Sequence, residues 1–366
     1  MEDLVATVVE LLGVRSTADR PAELHRALEM VLSVFSTTDF RVRRFESRGK
    51  PSALVTASAQ PGRPRVILNA HLDVVPGTDE QFRPVIDGDR LYGRGAHDMK
   101  AAAVVLATVF REVAGSLPYP IALQLVTDEE VGGFDGTGHQ LGQGVRGDFV
   151  IIGEQSGLRV VTESKGLVHA RLIASGRAAH AAYPWTGDNA LVTLIGAIGR
   201  VLERYPVPAA EAWATTVNVA RITTGNTAIN QVPADATAWL DIRCPPSDPV
   251  TAERLAEIAG PDVAVVVDAR GAPHHADPSS PSVLALRAAA RAAGYPGTLL
   301  RKHGAADGRF YSALGIDAVI FGPDGDGQHG PSEYVSISSL RPYHDALTAF
   351  LATVPVSPGD RPGSAG

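Results

Sequence analysis

Apolar and polar residues change period several times along the chain, and each period predicts an element. The opening MEDLVATVVELLGV and the later PAELHRALEMVLSVF place apolar residues three and four apart, the spacing of one buried helix face. RVILNAHLDVV is a β-branched apolar run that predicts a buried strand, and MKAAAVVLATVFREVAG predicts a helix stopped by glycine. IALQLVT and DFVIIGE predict two further short buried strands, so helices and strands alternate as in an α/β layered domain. Near Lys165 the texture changes. GLVHARLIA alternates, GDNALVTLIGAIGRVLERY is helical, WATTVNVARIT and DATAWLDIR read as strands, TAERLAEIAG as a helix and VAVVVDA as a strand. That β-α-β-β-α-β order is ferredoxin-like. VLALRAAARAAGY then resumes helical spacing, and AVIFG predicts another buried strand. The expected organisation is therefore a first domain of residues 1–165 and 273–355, an inserted α+β domain over 166–272, and a flexible tail over 356–366.

Composition narrows the class. The 366 residues are 45% hydrophobic and 20% charged with a net charge of −7, as in an ordinary globular protein. No basic run is present to track a phosphate backbone, so nucleic acid is not an expected partner. No apolar segment reaches the roughly 18 residues needed to span a bilayer. The start carries acids where a secretory signal carries cations, so a cytoplasmic location is expected. Cys244 is the single cysteine, which leaves nitrogen and oxygen as the ligands of any metal site. Gly142–Gly147 matches GxGxxG, but it precedes a strand where a dinucleotide loop follows one.

Candidate chemistry gathers where apolar runs stop. TDEEVGG sets Asp128, Glu129 and Glu130 at the end of IALQLV; like charges this close repel unless a cation offsets them, although on this stretch alone a solvated loop is the plainer reading. His71 and Asp73 stand two apart, so on an extended strand they share a side, and the carboxylate can hold the imidazole in one tautomer while the ring binds metal. A structural strand histidine is the plainer alternative. Asp98 follows glycines at a helix start, where helix capping is the plainer role. Glu154 ends VIIGE, and His329 lies in the loop DGDGQHGPSEYV. Taken together, these residues cluster at strand ends, the place where ligands gather in open α/β sheets. Two histidines with several carboxylates suit zinc, with cobalt or manganese compatible by ligand type.

The set HLDVVP, GRGAHDMK, TDEEVGG, GEQSG and HGPSEYV resembles the M20 family of zinc amidohydrolases and exopeptidases, which includes acetylornithine deacetylase and succinyl-diaminopimelate desuccinylase. The resemblance implies a zinc-exopeptidase-like α/β catalytic domain with a mixed central sheet, and an inserted ferredoxin-like lid and dimerisation domain. It implies two zinc ions per subunit, one held by His71, Asp98 and Glu154, the other by Asp98, Glu130 and His329, with Asp98 bridging. A cis peptide between Asp98 and Met99 belongs to the same pattern. Glu129 is then the general base and His180 the oxyanion donor supplied by the partner subunit of a homodimer, with Asp73, beside His71, the third catalytic residue expected. Arg243, Arg309 and Asn230 fall at positions that hold a substrate carboxylate or the scissile carbonyl, and Asp307 at one that supports the site. GEQSG departs from the proline that many relatives carry after the glutamate. The implied activity is hydrolysis of the amide bond of a small N-acyl amino acid, with a dipeptidase or carboxypeptidase as the alternative and a catalytically dead binding protein as a remote one.

Overall fold

A computed structural model describes residues 2–354; the tail expected over 356–366 lies outside the described residues. The chain forms two compact units, one from the residues up to Glu163, His275–Arg301 and the chain from Ala306 onward, the other from Ser164–His274 and Lys302–Ala305.

The first unit is built on a mixed sheet. Its four central strands lie side by side in the order Ile121–Val126, Val66–His71, Phe149–Ile152, Asp317–Ile320, all parallel. An antiparallel hairpin, Phe40–Ser47 with Lys50–Ala57, extends one edge, and Val160–Ser164 runs antiparallel on the other. Every residue of Val66–His71, Ile121–Val126 and Phe149–Ile152 is buried. The cause is a core on each face, which makes such strands read as continuous apolar runs. Val66, Leu68 and Ala70 pack toward helices Glu2–Leu12, Pro21–Leu32, Ala101–Val113, Pro281–Ala292 and Ile337–Thr353. The alternate residue Ile67 joins Ala122, Val150, Ala318, Leu141 and Tyr311 on the other face.

Register sets the site. His71 pairs with Val126 and Asn69 with Ile152, so the C-terminal ends of these parallel strands finish along one edge of the sheet. The strand predicted over RVILNAHLDVV stops at His71, and Asp73 lies beyond it. Two small features escape the sequence pattern. The hairpin turns at Arg48 and Gly49, both with positive φ (45° and 74°), the two-residue geometry that matches strand twist and favours glycine. A second, four-stranded sheet pairs Gly325–Asp326, Tyr334–Ser336, Arg90–Tyr92 and Val85–Asp87 in that order. It fastens the chain entering the Asp98 turn to the chain leaving the His329 loop.

The second unit follows the predicted β-α-β-β-α-β order. Its strands lie as Thr216–Thr223, Asp235–Cys244, Gly166–Ser175, Val263–Gly271, every pair antiparallel. Helices Ala190–Arg204 and Ala252–Ala259 bury Leu194, Ile198, Val201 and Leu255 with Val168, Ala170, Leu172 and Leu240 of the strands. Asn189 caps the first helix by accepting from Leu191 N at 3.1 Å, and Thr251 caps the second by accepting from Arg254 N at 3.2 Å. No helix among the described residues is long and apolar enough to cross a membrane.

Candidate metal centre

The turn Ala96–Lys100 carries Asp98 and contains a cis peptide between Asp98 and Met99. Helix capping is not the role of this aspartate: the next helix starts at Ala101 with no side-chain cap. Instead Asp98 Oδ1 lies 3.0 Å from His71 Nε2, and Oδ2 lies 3.2 Å from His329 Nε2. Gln328 Nε2 also donates to Oδ2, at 2.5 Å. The turn itself is held from below, because the N–H groups of His97 and Asp98 both donate to Glu333 Oε1 at 3.1 Å. Lys100, fully buried, donates to the carbonyls of Leu11 and Val14 at 3.2 and 2.7 Å, and burial lowers it to about 7.

His71 is oriented differently from the expectation that Asp73 shares its side of a strand. With the strand ended, Nδ1 reaches the backbone carbonyl of Asp73 at 3.0 Å, while the carboxylate stands at 3.6 Å. That carboxylate is engaged elsewhere: Oδ1 accepts from Glu129 N at 3.2 Å and Oδ2 from Glu130 N at 3.0 Å. Asp73 therefore fixes the segment that carries both glutamates. Glu130 reaches His329 Nε2 at 3.1 Å.

Potential ligand atoms fall into two groups within 4.8 Å of one another, His71 with Glu129 and Glu154, and His71 with Asp98 and Glu130. His71 is common to both. The five residues expected to bind metal are thus brought to one place at the ends of the parallel strands, and Glu129 lies among them.

Electrostatics of the protein alone show why a cation fits. Burial, reinforced by Glu154, pushes Glu129 well above the usual carboxylate range, and burial also raises Glu130, against the lowering hydrogen bond from His329. Burial opposes charge on His71, yet hydrogen bonds to Asp73 and Asp98 raise it overall. Hydrogen bonds donated to Asp98 and Glu130 lift His329 to about 10. Crowded buried carboxylates facing neutralisable imidazoles are a donor set suited to divalent zinc.

Other predicted residues are spread over both units. Arg309, in the first unit, donates to Gly132 O and lies over the rings of Phe310 and Phe134 at 4.8 and 5.7 Å. Asp307 Oδ2 accepts the Thr137 hydroxyl at 2.5 Å, and burial with the Asp128 charge raises it to about 7. In the second unit, Arg243 forks onto Asp241 of its own strand at 2.7 and 3.0 Å. His180 and Asn230 are exposed on adjoining loops, joined by Ala181 N donating to Asn230 O at 2.9 Å. His180 Nδ1 accepts from Ala182 N at 3.1 Å, which leaves its proton on Nε2. Glu333, Arg94 and Gln328 are the site-supporting residues that the sequence pattern does not single out.

Fold and donor set define an α/β protein with a carboxylate–imidazole cation site at the carboxyl ends of parallel strands. The chain belongs to Peptidase family M20/M25/M40, whose model matches residues 67–353. It is 30% identical over 315 residues to the succinyl-diaminopimelate desuccinylase of Acidiphilium cryptum (strain JF-5), covering 80% of this chain and 84% of that one. A probable carboxypeptidase of Aspergillus terreus (strain NIH 2624 / FGSC A1156) is 33% identical over 201 residues, and the match spans 49% of this chain and 45% of the relative. The chain thus spans about half the length of such fungal relatives. Among solved structures, an M20 family metallo-carboxypeptidase from Sulfolobus solfataricus shares the fold with a TM-score of 0.77 at 19% identity, over 96% of this chain and 99% of that one.

Proposed function

We propose that the protein is a two-zinc hydrolase that cleaves the amide bond of a small N-acyl amino acid, of the deacetylase or desuccinylase kind. The observation that carries this is the pair of contacts on Asp98, one oxygen facing His71 at 3.0 Å and the other facing His329 at 3.2 Å. A carboxylate so placed suits a bridge between two cations. His71, Asp98 and Glu154 would hold one ion, and Asp98, Glu130 and His329 the other.

Bound there, zinc supplies Lewis acidity for the amide carbonyl and brings the pKa of water toward about 7. Glu129 accepts the proton of the attacking water and returns it to the leaving nitrogen as the C–N bond breaks, releasing a carboxylate and a free amine. Its raised basicity and the Asp73 contact to its backbone suit that task. His180, with Nε2 carrying the proton, supplies a donor for the oxyanion from the partner subunit of a homodimer. Arg309, Arg243 and Asn230 hold the substrate's carboxylate or carbonyl; the planar fork of arginine pairs with a carboxylate through two bonds.

The carboxypeptidase names among the relatives favour a second reading, peptide cleavage at the same site. A panel of N-acetyl amino acids, N-succinyl amino acids and dipeptides separates the two. Cleavage of N-acyl amino acids is expected, with Glu129→Gln silent but metal-loaded. Cleavage of dipeptides alone removes the deacylase reading, and zinc-loaded protein inert to the whole panel removes hydrolysis altogether. His180→Ala should lower kcat by about 10²–10³, and mixed dimers of that variant with Glu129→Gln should recover activity if the donor acts across subunits.

A further inference from the structure

Resting on the two-ion reading above, we propose that the Arg94–Glu333 ion pair is a positioning element that holds Asp98 and His329 in register, so that Arg94 governs the affinity of the ion bound by His329. The two side chains are 4% and 1% exposed and meet at 2.5 Å. A buried pair of this kind is a poor source of stability compared with apolar packing, so its geometry is the informative part.

Each end of the pair grips a different ligand-bearing segment. Glu333 Oε1 accepts from His97 N and Asp98 N at 3.1 Å, which fixes the turn that presents Asp98. Its other oxygen takes Arg94 Nη1. Arg94 Nη2 then donates to the carbonyls of His329 and Gly330 at 3.1 and 3.3 Å. His329 has φ of 59°, a left-handed conformation that a residue with a side chain adopts only when held there. Gln81 adds a second grip, donating to Gly330 O at 2.9 Å. Glu130, the remaining residue of that ligand set, comes from a segment that Arg94 does not touch in these contacts. The pair thus ties two segments together through a guanidinium that meets Glu333, His329 O and Gly330 O at once, which a lysine's single ammonium does not reproduce.

Zinc titration of metal-depleted protein against a competing chelator tests the proposal. Wild type is expected to bind two equivalents. Arg94→Lys should weaken binding of the ion held by His329 about 10–100-fold, the usual loss when a residue that orients a ligand is changed, and of the other ion, which shares only Asp98 with these loops, by clearly less. Gln81→Ala, a milder variant that stays informative if Arg94→Lys does not fold, should shift the same ion in the same direction by less. Tyr119→Phe removes a buried hydrogen bond to Leu351 O far along the chain from these loops and should leave both affinities unchanged. Two unchanged affinities in both variants, or equal loss of both ions, overturns the positioning role. Wild-type protein that binds no second ion removes the two-ion reading itself and this role with it.

Discussion

Asp73 Oδ2 accepts the backbone N–H of Glu130 at 3.0 Å, so a buried carboxylate sets the path of the segment carrying Glu129 and Glu130. Its other oxygen accepts from Glu129 N. Asp73→Ala should lower kcat/KM by about 10–100-fold and weaken metal binding, whereas Asp73→Asn, which keeps one acceptor, should lose less. Steady-state kinetics with metal analysis distinguishes the two variants; equal activity of wild type and Asp73→Ala would remove Asp73 from the site's support.

Gly133 should resist any side chain. Its φ is 67°, and an added Cβ would strike the Asp307 carboxylate and the Phe310 ring. Gly133→Ala is expected to destabilise the fold by more than about 1 kcal/mol, the scale for leaving the left-handed region to glycine. Denaturant unfolding measures it, and a wild-type midpoint would count against the contact.

Asp307 should make metal-depleted protein less stable as pH rises. Its carboxyl moves from 3.8 to about 7, so between these values the folded state keeps a proton that the unfolded chain has lost. Stability therefore declines through that window. Asp307→Asn, which can still accept from Thr137, should flatten the decline. Urea midpoints at several pH values between 4 and 8, with identical slopes for both proteins, would refute the assignment.

Removing metal should both silence and loosen the protein. Chelation should lower the Tm, and zinc at about 100 times its Kd should return about 2.7 kcal/mol per ion by mass action alone. A thermal midpoint unmoved by chelator and by added zinc would leave the acid cluster without a cation role.

The central strands were legible because burial on both faces writes a continuous apolar run, and the inserted unit because half-burial writes alternation. FRVRRFES was not legible: an edge strand needs little apolar surface, and its arginines mask the period. The candidate ligands were readable as polar residues placed where apolar runs stop. Arg94 and Glu333 were not, since they stand 239 residues apart and no local spacing relates them. Asp73 meets the expected histidine mainly through its backbone carbonyl, at 3.0 Å, with its carboxylate at 3.6 Å, because the strand ends at His71.

Asp317–Ile320, the last strand to join the parallel core, lies beyond the second unit in the chain, and it docks beside Phe149–Ile152. During synthesis the ribosome therefore releases His71, Asp98, Glu130 and Glu154 long before His329 and Glu333 emerge. The carboxylates are thus made before His329, the imidazole that Asp98 and Glu130 face, so this polar cluster closes only after the second unit has been synthesised.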